Sequence, residues 1–434
     1  MRPALCVAVL MVVACGNDKP AVDKTAPPKE PIVEKAPPAN DPPVAKAPEP
    51  PPAEPPAPVQ PAPPPQPAVA AGGHDFTAEG KALVTVGACG DGTAPATVTE
   101  KQLTKHCEVI KKAQEAYVTG WLKLARAFFE EKVPKDVPKK VVYPFAGGDL
   151  STALTVYPDA DEITTLSLEP AGDPRTLAVL AGKDLERALG KVQYELKFLY
   201  RVNFSNTLNM IEAMRGGALP TQLIFGLSAL KIHGFEFVAL RYFSLQDDGA
   251  IHYLDDADIA KVADPSKTAT AQARNMVFSN AEVQFKRPNG RVQVWRHIRG
   301  NLGNEASKGI GDGLKKDPRI VKHLESKGTI AGMTKAASYL LSWDSFSIMR
   351  DYLTGHVQWM VSDATGVAPK WGKAAGYEYE TYGGFVNPHI PAGTGIAANW
   401  RGEFKAQPKR ELGFRFGYYD KTNTNHLIIM RKKS

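Results

Sequence analysis

Val141-Val-Tyr-Pro-Phe145 runs into Ala146-Gly147-Gly148-Asp149, then into Leu150-Ser-Thr-Ala-Leu-Thr-Val-Tyr157, a Pro158-Asp159 turn and Ile163-Thr-Thr-Leu-Ser-Leu168, which ends in Glu169-Pro170. The two short apolar runs are rich in β-branched and aromatic residues and bounded by turn formers, so they read as buried strands. The stretch between them has the length and composition of one short helix. Strand, glycine turn, helix, strand, acid is the order of a βαβ unit in an open parallel sheet. In nucleotide-binding units of this kind, glycines let the backbone approach the ligand and the helix N-terminus faces its anionic groups. An acid about 20 residues on accepts hydrogen bonds from ribose hydroxyls. Gly147, Gly148, Asp149 and Glu169 are therefore the candidate ligand-binding residues. The competing reading is structural, with Asp149 capping the helix and Glu169 preceding a proline turn.

Upstream, Leu103, Cys107, Ile110, Ala113, Tyr117, Trp121, Leu124 and Phe128 recur at spacings of three and four. They predict one long amphipathic helix over residues 99–131, capped by Thr99 and closed by Pro134 and Pro138. Downstream, residues 184–200, 205–214 and 223–231 read as helices, the last ending near Gly234, and 235–243 as a strand before an Asp247-Asp248-Gly249 turn. The clearest hairpin pairs Val283 and Phe285 with Val292, Val294 and Trp295 across Asn289-Gly290, since Asn-Gly supplies the positive φ of a tight reversal. Residues 333–342 and 345–353 read as helices, the second capped by Asp344, and 357–361, 412–418 and 427–430 as late strands.

The glycine turn and Glu169 resemble the first motif of Rossmann-like S-adenosylmethionine-dependent methyltransferases, which implies that cofactor along the Gly147, Gly148, Glu169 edge. The sequence departs from that pattern in having Tyr143-Pro144 where an acid usually ends the first strand, and in lacking a full GxGxG. The segment Tyr143 to Asp149, with Leu166-Ser-Leu-Glu-Pro170, also resembles a group of bacterial exported proteins of unknown function with a YPFxGxD…LEP signature. That likeness extends to Leu340-Leu341, Phe346 to Tyr352, Ser362-Asp363 and Gly413 to Tyr418, and implies a shared fold without an assigned activity.

The N-terminus supplies an address. Arg2 precedes an uncharged apolar run from Pro3 to Ala14, well short of the roughly 20 residues of a spanning helix. The run ends in Val12-Val13-Ala14-Cys15, which resembles the lipobox of bacterial lipoproteins. It implies cleavage before Cys15 and lipidation of its thiol, with enough acyl chains for stable anchoring. Gly16 rather than Asp follows Cys15, which favours the outer membrane by analogy. An ordinary secretory signal with an incidental cysteine is the alternative. Twenty of the 36 prolines lie between Pro20 and Pro67, in a tract without aromatics. Such a segment cannot bury enough apolar surface to offset its ordering entropy, so it reads as a disordered tether. Polyproline stretches would let it reach on the order of 150 Å.

The net charge of +7 is the sum of +1 on the leader, −2 on the tract and +8 on residues 74–434. That charge favours solubility or an envelope polyanion. The basic residues are scattered, with only Lys315-Lys316 and Lys432-Lys433 as runs, so no nucleic-acid platform is indicated. Cys89 and Cys107 are an even pair in an oxidising compartment, open to a disulfide or to two free thiols.

Other motifs are weaker. Ser228-Ala-Leu-Lys231 matches SxxK without a KTG partner, as chance alone would supply, and Asp255-Asp256-Asp258 reads as a solvated turn before a calcium site. Gly309, Gly311 and Gly313 follow no strand, and the histidines show no metal spacing. The segment Trp371 to Phe385, with Tyr377, Tyr379 and Tyr382, is either an apolar-ligand platform or sheet packing.

The expectation is thus a signal peptide (residues 1–14), a lipidated cysteine and Pro/Ala-rich linker (15–73), and a globular α/β domain (74–434) whose helical part (74–138) precedes a βαβ core with additions (139–434). The fold expected is a Rossmann-like three-layer sheet with an antiparallel hairpin addition. The function expected is an envelope lipoprotein binding a small or envelope ligand. The alternatives are a methyltransferase-like transferase and a structural envelope protein without ligand.

Overall fold

A computed structural model describes residues 72–90, 92–202, 219–261, 277–305, 316–363, 366–385, 390, 393–417 and 426–433. The leader, Cys15, the proline tract, residues 205–214 and Gly309, Gly311 and Gly313 lie outside them.

The βαβ unit forms as read: β1 (Lys140–Tyr143), α4 (Leu150–Val156) and β2 (Glu162–Ser167), with β1 and β2 parallel neighbours. Before it come α1 (Thr77–Gly87), α2 (Glu100–Tyr117) and α3 (Lys123–Lys132). After it follow α5 (Gly182–Val202), α6 (Thr221–Ile232), β3 (Glu236–Leu245), β4 (Ile251–Tyr253), β5 (Asn280–Lys286) and β6 (Val292–Arg299). The last part comprises α7 (Pro318–Glu325), β7 (Ile330–Thr334), α8 (Ser347–His356), β8 (Val357–Ser362), α9 (Pro369–Ala374), β9 (Tyr377–Gly383), α10 (Gly395–Ala406) and β10 (His426–Lys432).

Among the described residues, ten strands join one mixed sheet in the order β4-β3-β5-β6-β2-β1-β7-β8-β10-β9. The five central strands from β6 to β8 are parallel, and the strands on both flanks are antiparallel. Side chains alternate across it as the pleat requires. Val141, Tyr143, Leu427 and Ile429 enter one core with α1 to α6, while Val142, Ile428 and Met430 enter a second core with α7, α8 and α10. Helices therefore cover both faces.

Local signals explain several boundaries. Thr99 caps α2 in a reciprocal capping box with Gln102. The predicted single helix to residue 131 continues to Lys132, but a π turn at Val118–Leu122 interrupts it. Asn289 takes a φ of 58° in the reversal between β5 and β6. Asp255 and Asp258 open a short helix through a second capping box, while Asp256 pairs with His74 and Asp258 also with His252 and Lys261.

Four expectations are corrected. The helix expected over 333–342 is instead the end of β7 followed by a 3-10 turn, Ala337–Ser342, because Gly332 packs its backbone closely against Val357 and Met360 of β8. Asp344 sits in a separate 3-10 turn and does not cap α8, whose N-cap is Phe346. Of the strand expected over 412–418, Tyr418 lies outside the described residues; residues 412–417 alternate inward like a strand, burying Leu412, Phe414 and Phe416, but join no strand pair among the described residues. Their inward side chains are satisfied by α3 aromatics instead. The antiparallel addition is larger than one hairpin, since β3, β4, β9 and β10 are also antiparallel to their neighbours. Tyr377, Tyr379 and Tyr382 are buried in β9, which makes that aromatic segment sheet packing.

Cys89 and Cys107 form a disulfide, their Cα atoms 5.5 Å apart, which joins the end of α1 to α2 across 18 residues. Closing that loop should stabilise the fold by about 3 kcal/mol. Urea unfolding of the C89S variant is expected to show that loss, with a larger m-value because the chain without the cross-link unfolds to a less compact state. An unchanged midpoint would contradict it.

Candidate functional site

In open parallel sheets, ligands bind outside the carboxyl ends of the strands where the chain order reverses. Here the chain passes from β1 to β2 on one side and later returns to β7 on the other, so the reversal lies between β1 and β7. The glycine turn follows β1 at that point. Its amide at Ala146 donates to Leu166 O of β2 at 2.9 Å, and Phe145 and Gly147 have φ of 60° and 53°. Ala336, just after β7, also has a φ of 60°. Non-glycine residues in that region store strain that the surrounding packing must hold.

The crevice is filled from within. Lys335, the residue after β7, is wholly buried, and its Nζ donates to Asp149 Oδ2 at 2.8 Å and to Thr152 Oγ1 at 2.7 Å. Asp149 in turn caps α4, accepting from Thr152 N (3.3 Å) and Thr152 Oγ1 (2.7 Å), and also accepts from Tyr143 OH at 3.1 Å. The ammonium lies 5.7 Å from the centroid of Trp121 and 5.4 Å from that of Phe416. At the end of β8, Asp363 accepts from Ala336 N (2.8 Å) and Ser338 Oγ (2.9 Å). Burial pushes the Lys335 ammonium down from its ordinary range, and the Asp149 carboxylate opposes that push.

Gly148 is accounted for by packing: a Cβ there would stand 2.1 Å from Phe225 Cδ2 of α6. The four predicted residues thus separate into two groups. Gly147, Gly148 and Asp149 form one unit with Lys335, whereas Glu169, also buried, is tied through its main chain to Ser167 and to His297 of β6. A cofactor laid over the glycine turn does not fit this arrangement, because Phe225 covers Gly148 and Lys335 holds Asp149. Lys335 was missed in the sequence because it falls in the stretch read as a helix. The signal for it was the strand-like run from Ile330 to Thr334 just before it.

A Ser–His pair lies nearby. Ser151 Oγ is 3.0 Å from His233 Nε2 and 3.1 Å from Tyr117 OH, while Arg126 stands 3.3 Å from His233 Nδ1. A guanidinium only donates, so Nδ1 accepts and Nε2 carries the proton. A nucleophilic serine needs the opposite tautomer. Burial, followed by the charges of Arg126 and Arg287, holds His233 down at about 3, so it is neutral and structural. Ser228 of the SxxK match is buried and bonded to Tyr200 OH (2.6 Å) and Gln114 Nε2 (3.0 Å). Among the described residues, no cluster of His, Cys, Asp or Glu could hold a metal ion, and no helix is long and apolar enough to cross a membrane.

Comparison of the chain with models of protein families and with curated proteins found no match.

Burial also lowers His297 and His323 to about 4. Their imidazoles and that of His233 are neutral when folded and titrate near 6.5 when unfolded. The unfolded state therefore binds the extra protons, and stability is expected to fall as pH drops below 6.5. The slope should approach 1.4 kcal/mol per pH unit for each proton taken up. Urea titrations between pH 7 and 4.5 check this, and a flat stability across that window would contradict it.

Proposed function

We propose that this chain is a bacterial envelope lipoprotein, anchored through a lipid on Cys15 and carrying a Rossmann-like domain that binds a small ligand without transferring a group. The lipobox-like Val12-Val13-Ala14-Cys15 and the proline tract support the anchor and tether, with the outer membrane as the favoured site. The winding of the sheet supports the Rossmann-like reading. Numbered among themselves in chain order, the parallel strands β6-β2-β1-β7-β8 run 3-2-1-4-5, the doubly wound order.

One observation carries the non-transferring reading: the Lys335–Asp149 pair occupies the crevice in which a sheet of this winding would hold its cofactor. The fixed tautomer of His233 removes the nearest acid–base candidate as well. Ligand binding then falls to the surface beside the crevice.

Two measurements test this. Radiolabelled palmitate should enter the wild-type chain in a bacterial host and be lost in C15S, and label retained by C15S would contradict the anchor. Thermal shift with S-adenosylmethionine and dinucleotides should leave the melting temperature unchanged. A ligand at 100 times its Kd would add about 2.7 kcal/mol, so a clear upward shift with S-adenosylmethionine would restore the transferase reading, and one with a dinucleotide would contradict the filled crevice.

A further inference from the structure

Immediately outside the filled crevice lies an open cleft of about 990 Å³. Three separate chain segments line it: α2 with its π turn, the end of α5, and residues 413–415. Its inner wall is aromatic. Tyr117 and Trp121 stack at 5.2 Å with 20° between their planes, Tyr200 lies 4.9 Å from Tyr117, and Phe414 meets Trp121 edge-on at 6.0 Å. The Trp121 indole N–H donates to Arg415 O, which fixes the ring between the segments. The π turn falls on this wall, and such turns occur often at functional sites.

The charge on the cleft has one sign. Lys112, Lys197, Arg201 and Arg415 line it, and among the described residues no lining residue is acidic. Lys112, Lys197 and Arg201 are exposed, and none of the three makes an ion pair among the described residues. Like charges held around a concave, partly apolar wall focus a positive potential into it.

We propose that this cleft binds a small soluble organic anion with an aromatic body, its ring against the Tyr117–Trp121 wall and its acidic group toward Lys112, Lys197 and Arg201. This rests on the reading of the domain as a ligand binder.

The test titrates the full chain with 8-anilinonaphthalene-1-sulfonate and with N-phenyl-1-naphthylamine, which has the same rings and no charge. The sulfonate should bind saturably and at least tenfold more tightly than the neutral amine, and added salt should weaken it. K197E/R201E should weaken it at least tenfold, and K112E, on an exposed turn of α2, should weaken it with an unchanged circular dichroism spectrum. Equal binding of the two probes, or a sulfonate affinity untouched by both charge reversals, would overturn this site while leaving the ligand-binding reading in place. No saturable binding at all would count against both. Displacement of the sulfonate by phosphatidylglycerol vesicles but not by soluble aromatic carboxylates would also overturn it, because the occupant would then be a lipid surface.

Discussion

The ion pair between Lys335 and Asp149 is the constraint on which the centre of the molecule depends. A fully buried ammonium is costly, and its attraction to one carboxylate does not by itself offset the loss of water. The cost is met by several partners: Asp149 and Thr152 as acceptors, the rings of Trp121 and Phe416 around the charge, and Asp363 nearby. Each partner comes from a different element. One side chain thus ties the end of β7 to the turn after β1, the first turn of α4, the π turn and the 412–417 segment. The left-handed backbone at Phe145 and Ala336 flanks this cluster, and Asp363 holds the Ala336 amide.

The same arrangement divides the carboxyl edge of the sheet into a closed part and an open one. Tyr143, Asp149, Thr152 and Lys335 close the point of chain reversal. Trp121 stands between that plug and the solvent, with the ammonium on one side and the cationic cleft on the other. Under the proposed reading, the helices that cover the sheet edge would present the surface that meets a ligand. A tether of the kind read at residues 16–73 would let such a domain sample the envelope at a distance from its anchor.

Much of this was legible in the sequence where local rules act alone. Asn289-Gly290 specified its reversal, Thr99 specified the start of α2, and the glycine turn specified the parallel pair β1 and β2. The failures arise where tertiary partners decide. Residues 333–342 have helical composition, but the close approach of Gly332 to β8 makes their start a strand. Phe414 and Phe416 alternate like a strand, yet they meet helix aromatics instead of a neighbouring strand. Asp149 was legible as a cap and as a ligand candidate, and it is engaged by a lysine 186 residues away that no local pattern could pair with it.

The most direct test of this account is a double-mutant cycle on the pair, with K335M, D149N and the double variant unfolded in urea at pH 7. Asparagine keeps the cap on α4, so the cycle isolates the charge. Each single change leaves one partner buried and alone, and is predicted to cost about 3–5 kcal/mol. The double variant should recover at least about 2 kcal/mol of the summed loss. Additive losses would show that Lys335 and Asp149 do not act as one unit, and would contradict the closure of the crevice by their pairing.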